Sequence, residues 1–277
     1  MLQIKIGITD TTGKVDPEVM VAAAAAINIQ VTRDLPQFWS VSASVAYLPD
    51  HTKIPQGVWP VQIVKTLPPT EGGFHFTQNN QPYAKVIGTP GSNEWTLDAS
   101  HETLEMLIDP SGNRLQTSTA IAIADNKIVD GTGQFEYLVE ACDPCEADVF
   151  SYQISGIAVS DFITPHFYEP YPLPGTRYSF TGALTAPRQI LDGGYISWTN
   201  PETAEIQQLQ NFGGKPIVKN LGSASGANLR AFVDSRTRIK VPGPKASPKL
   251  LQKKARLDDA YTKALEAATI ARSKHYV

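Results

Sequence analysis

The chain has very little cysteine: two residues in 277, Cys142 and Cys145. A fold held by a disulfide framework is therefore excluded. No stretch approaches the ~18–20 apolar residues that a membrane-spanning helix requires, so no membrane partner is expected. The opening residues Met1-Leu2-Gln3-Ile4-Lys5-Ile6 alternate like a strand and lack the features of a secretory signal. The expected location is the cytoplasm, or an exported or virion-associated state reached without a cleavable signal. There is no internal repeat. The glycine pairs Gly72-Gly73 and Gly193-Gly194 are not followed by Lys-Ser/Thr, so neither forms a phosphate loop.

What remains is an ordinary globular composition, 42% hydrophobic and 18% charged. A chain of this length can bury a substantial core without staples. The net charge of −3 hides a division. Residues 240–277 carry nine Lys/Arg against three Asp/Glu, and the rest carries fifteen against twenty-four. This is an acidic body with a basic tail. The tail lacks interleaved aromatics, which disfavours nucleic acid. A protein assembly partner, or the body itself, is the expected surface for it.

The pattern along the chain predicts an α+β fold. Leu2–Ile8 reads as a strand, and Asp16-Pro17 opens a helix that runs to Arg33. Strands are expected over Trp39–Leu48, Val61–Leu67, Gly72–Phe76 and Tyr83–Ile87. A helix follows over Asn93–Ile108, stopped by Asp109-Pro110-Ser111-Gly112-Asn113. Ala120–Val129 is a candidate strand and Phe135–Ala141 a candidate helix. Tyr152–Val159, Tyr178–Leu184 and Gly194–Trp198 are strand candidates in a β-rich, turn-rich region. The division expected is a domain over 1–212, with a first half at 1–145 and a β-rich part at 146–212. A linker over 213–247 and a basic C-terminal helix over 248–277 complete it.

The stretch that carries chemistry is Ser100-His101-Glu102-Thr103-Leu104-Glu105. Residues four apart share a helix face, so His101 and Glu105 point the same way and Glu102 sits beside them. Leu97, Leu104 and Ile108 lie on the same stripe. A carboxylate on a core-facing stripe is costly unless a metal or a cation compensates it. Two readings stand for this helix alone: metal ligands, or a His–Glu pair across one turn.

The order strand, helix, strands, then this helix resembles the catalytic half of the zincin metallopeptidase superfamily over about residues 1–145. The matching pieces are Gly73-Phe74-His75, Pro82-Tyr83-Ala84-Lys85-Val86, Trp95 and Ser100-His101-Glu102. The stretch from Ser100 through Glu105-Met106 to Asp109-Pro110 is also similar to a group of bacterial and phage proteins with a Ser-His-Glu-x-x-Glu-Met-x-x-Asp-Pro signature. The zincin resemblance implies a zinc ion, or another divalent metal, and a hydrolase of peptide bonds acting through an ion-activated water. His101 and Glu105 would be ligands and Glu102 the general base. Glu105 stands where that superfamily has its second histidine, which makes the site harder and more negative.

For a third ligand the resemblance points to Glu140, with Asp143 orienting a histidine. Glu136, His166 and Asp143 itself are the alternatives. His75 could face the cleft or be packed. The Cys142/Cys145 pair could lend a thiolate. Tyr152 or Tyr168 could stabilise an oxyanion. A peptide substrate would pair with the edge strand near Phe74–Phe76. The competing function is a structural or interaction protein that keeps the scaffold without catalysis.

Overall fold

A computed structural model of the chain describes residues 3–67, 73–88, 94–224 and 228–237. The fold is α+β, built on two five-stranded sheets. The first sheet has the order β2-β1-β3-β5-β4. Its strands are β1 (Ile4–Asp10), β2 (Ala43–Tyr47), β3 (Val58–Val64), β4 (Gly73–Gln78) and β5 (Gln81–Ile87). The first four in that order are parallel, and β4 runs antiparallel to β5 at the edge. The β4–β5 turn is Asn79-Asn80, both at positive φ, a conformation that asparagine tolerates and a tight hairpin requires.

Helix α1 (Pro17–Ile29) starts as the sequence predicts: Asp16 accepts a hydrogen bond from the Glu18 amide at 2.8 Å, with proline at the first position. Its Met20, Ala23, Ala24 and Ile27 face the core. A π-helical turn, Gln30–Asp34, continues it.

Helix α2 (Trp95–Ile108) is buried on nearly every side. It packs against β4, β5 and the small hairpin of β8 (Tyr152–Ile154) and β9 (Ile157–Val159). Polar residues hold its inner faces. The Ser100 hydroxyl donates to Gln30 Oε1 at 2.7 Å and accepts from the Ser160 amide at 2.9 Å. The helix ends where expected. Asp109 turns the chain by accepting from the Arg114 amide at 2.6 Å and the Ser111 hydroxyl at 3.1 Å.

The second sheet is antiparallel throughout, in the order β12-β11-β10-β7-β6. These are β6 (Leu115–Ala124), β7 (Lys127–Leu138), β10 (Gly194–Thr199), β11 (Ile206–Phe212) and β12 (Lys215–Gly222). The sheet corrects three expectations. Phe135–Ala141 is not a helix: Phe135–Leu138 completes β7, where Phe135 stacks on Trp198 with ring centroids 5.0 Å apart. The alternation of Phe135 and Tyr137 puts both aromatics against Trp198, a period of two that outweighs any helical spacing in so short a run. Tyr178–Leu184 forms no strand, only an isolated bridge between Ile163 and Ser179.

The third correction concerns the stretch expected to be a linker over 213–247. It contains β12 and a further helix, α3 (Leu229–Thr237). The sheet also joins strands from both sides of residue 145, and one hydrophobic core runs from Ile6 to Leu209. The basic helix expected over 248–277 lies outside the described residues. Among the described residues, no helix is long and apolar enough to cross a membrane.

Candidate metal centre

Helix α2 brings His101, Glu102 and Glu105 to one buried spot, at 9%, 4% and 0% exposure. Glu105 is its hub. Its Oε1 accepts from the Cys142 amide at 3.0 Å, and its Oε2 lies 3.3 Å from His101 Nε2 and 3.9 Å from His75 Nδ1.

The segment after β7 supplies the facing acids. Val139 and Ala141 are tied by backbone hydrogen bonds to Arg114 and Ile163, which fixes Glu140 between them. A short helical turn at Asp143–Cys145 then places Asp143 Oδ1 3.3 Å from His101 Nε2. Gly194 of β10 makes room for this turn: a Cβ there would stand 2.6 Å from the Pro144 carbonyl oxygen.

Among the described residues there are two sets of donor atoms, the atoms of each set lying within 4.8 Å of one another. One is His101, Glu105 and Asp143, and the other is His75, Glu105 and Glu140. Glu140 is thus grouped with Glu105 but with His75 rather than His101, and Asp143 is the acid that meets His101. His75 comes from the edge strand β4. Its ring spans Glu102 Oε2 and the Asp109 carbonyl, both at 3.2 Å. Position 73 is glycine because Glu102 passes over it: a Cβ there would meet Glu102 Cγ at 2.9 Å.

Glu136, His166 and Tyr152 lie elsewhere. Glu136 sits on β7 opposite Thr117 and Thr199. His166 is exposed and paired with Glu169. The Tyr152 hydroxyl donates to Asp34, in the Gln30–Ser100 network. Tyr168 is buried, its hydroxyl pushed well up by burial and the nearby Glu140. Cys142 and Cys145 are free, buried thiols, both raised by burial well above the usual range.

The residue that the sequence did not reveal is Arg230. Helix α3 inserts its guanidinium among three of the carboxylates. It reaches Glu105 Oε2 at 2.5 Å, Glu102 Oε2 at 3.3 Å and Glu140 Oε2 in a still closer contact. Arg230 Nε lies 3.5 Å from Asp234 on its own helix.

The electrostatics follow from this crowding. Burial would raise Glu105, but His101 and Arg230 outweigh it and hold the carboxyl well below its usual range. Glu102 is likewise lowered against its burial, by Arg230 and His75. Burial opposes the charge on His101, yet Glu105 and Asp143 hold its pKa well above the ordinary imidazole value. Glu140 is raised by burial and by Glu105 despite Arg230. Asp143 is pushed up to about 7 by burial and by Glu105.

The donor set, imidazole nitrogens and carboxylate oxygens, is one that binds zinc or another divalent ion. Glu140 Oε1 is buried without a hydrogen-bond partner among the described residues, an acceptor a cation could satisfy. No family model, curated protein or solved structure matches the chain.

Proposed function

We propose that this chain is a metal-dependent hydrolase, acting on peptide bonds, built on a zincin-like scaffold. The observation that carries the reading is the convergence of His101, Glu105 and Asp143 around one point, with Glu102 on the adjoining position of the same helix. The mixed sheet with an antiparallel edge strand beside that helix supports it. His101 and Glu105 would hold the ion together with Asp143. Glu140 and His75 form the competing set around the shared Glu105. A divalent ion held there would act as a Lewis acid and lower the pKa of water.

The chain's own part is proton handling and positioning. Glu102 is oriented by His75; Arg230 lowers its pKa and so weakens it as a base, and accepting a proton and returning it to the leaving amine would require that guanidinium to be displaced. The outer edge of β4, unpaired among the described residues, could align an extended peptide by backbone pairing.

One observation favours the other reading, a non-catalytic structural or interaction protein. Arg230 already neutralises Glu105, which both donor sets share, and Glu140 of the competing set. Elemental analysis of the native protein, with turnover of an unstructured protein substrate by wild type and Glu102→Gln at equal metal content, separates the two. The expected result is bound metal in both forms and activity reduced about 10²–10⁴-fold in the variant. Metal-free, inactive wild type across zinc, manganese and cobalt would favour the structural reading.

A further inference from the structure

We propose that α3 is an internal plug, its Arg230 guanidinium seated on Glu105, the carboxylate that both donor sets share, so that docking of α3 and metal binding exclude each other. The inference rests on the metal-centre reading and adds regulation of that site.

Both donor sets require Glu105. Its Oε2 is taken by Arg230 at 2.5 Å and its Oε1 by the Cys142 amide. An ion that used Glu105 would compete with the guanidinium, since both cations seek Oε2, which His101 also approaches. Glu140 is engaged by the same guanidinium nitrogen. The exchange is electrostatically sound: a single positive charge now serves three carboxylates, and a divalent ion would bring two.

Helix α3 is attached in a way that permits exchange. Of its nine residues only Arg230 and Val233 are buried. Val233 packs in a small cluster with Leu138 and Ile206, separate from the main core. Polar contacts to the turn after α2 complete the docking. The Arg230 amide donates to the Gly112 carbonyl at 3.0 Å, and the Leu229 amide donates to Asn113 Oδ1 at 2.9 Å. Asn228 caps the helix through the Ala231 amide at 2.8 Å. The apolar part of the docking is confined to Leu229, Phe232 and Val233 on this small cluster, and the ion pairs of Arg230 supply the rest.

The test uses the full chain, dialysed against chelator and titrated with zinc or manganese alone, as wild type, Arg230→Ala and Val233→Ser. Affinity comes from competition with a chromophoric chelator. Amide hydrogen exchange over residues 229–237 is followed with and without metal. Arg230→Ala is expected to bind one ion about tenfold to hundredfold more tightly than wild type, the range given by removing one charge-assisted competitor. Added metal should speed exchange in α3 of the wild type. Val233→Ser keeps the guanidinium but weakens docking, so it should also bind more tightly, and it carries the test if Arg230→Ala does not fold. Equal affinities with α3 exchange unchanged by metal would overturn the plug and leave the metal centre standing. No ion bound by any form would overturn the metal centre and the plug with it.

Discussion

Replacing Glu105 by glutamine changes one atom type and no volume, yet it should be among the most damaging single changes in this chain. The carboxylate is 0% exposed and serves three donors: Arg230 at 2.5 Å, His101 at 3.3 Å and the Cys142 amide at 3.0 Å. A glutamine carbonyl can serve only one side. If it takes the Cys142 amide, its NH₂ faces the guanidinium and imidazole donor to donor. If it turns around, the amide of Cys142 loses its acceptor. Either way the buried Arg230 loses an anion. Breaking a buried ion pair by removing one partner costs about 3–5 kcal/mol. At about 2–4 °C per kcal/mol for large domains, the melting temperature should fall by about 6–20 °C. Denaturant unfolding and calorimetry on metal-free protein measure this. A cycle with Arg230→Met isolates the coupling between the two side chains. A loss below about 1 kcal/mol, within the range of an exposed pair, would mean that Glu105 is not the electrostatic hub the geometry makes it.

Two further outcomes are expected. Gly73→Ala should cost about 1–3 kcal/mol by overpacking, because the new methyl meets both Glu102 Cγ and Val86 Cγ1 at 2.9 Å; unchanged stability together with unchanged His75 ring resonances would contradict the contact. Stability of the metal-free protein should be greater near about pH 5.5 than near about pH 8. Glu105, lowered in the fold, contributes fully above 4.5 and loses its contribution only as pH falls through its folded value. His101, raised in the fold, contributes fully below 6.5 and loses its contribution as pH rises through its folded value. Asp143, raised from 3.8 to about 7, favours the fold less across that interval as pH rises. A melting temperature that is flat or rising from about pH 5.5 to about pH 8 would refute this balance.

The parts of the site that the sequence revealed are those set by local spacing. His101 and Glu105 are one turn apart on a helix whose stop, Asp109-Pro110, is written in turn chemistry. The hidden parts depend on tertiary position. His75 is one alternating residue on an edge strand, and only the register of β4 against β5 turns it toward Glu102. Glu140 was expected on a helix, because six residues from Phe135 carry too few turns to separate period two from period 3.6. It reaches the cluster from the end of a strand instead. Arg230 is 125 residues from Glu105 in sequence. It lies in a stretch whose glycine, serine and proline content reads as a linker, so no local pattern distinguishes it.

One signal for Arg230 did exist, and it bears on what the cluster is for. A helix that buries Glu102 and Glu105, opposite Glu140 and Asp143, demands positive charge whatever its function. The demand is legible in the helix pattern, but the supplier is not. Arg230 meets it in the structure. Yet a network of buried carboxylates around one guanidinium is an inefficient way to fill a core, since apolar side chains of similar volume are often neutral or stabilising there. Stability alone does not account for four acids and two histidines at one point. An ion held by such donors, as proposed above, would account for them. On that proposal, the guanidinium carried by α3 is the ion's competitor rather than its permanent replacement.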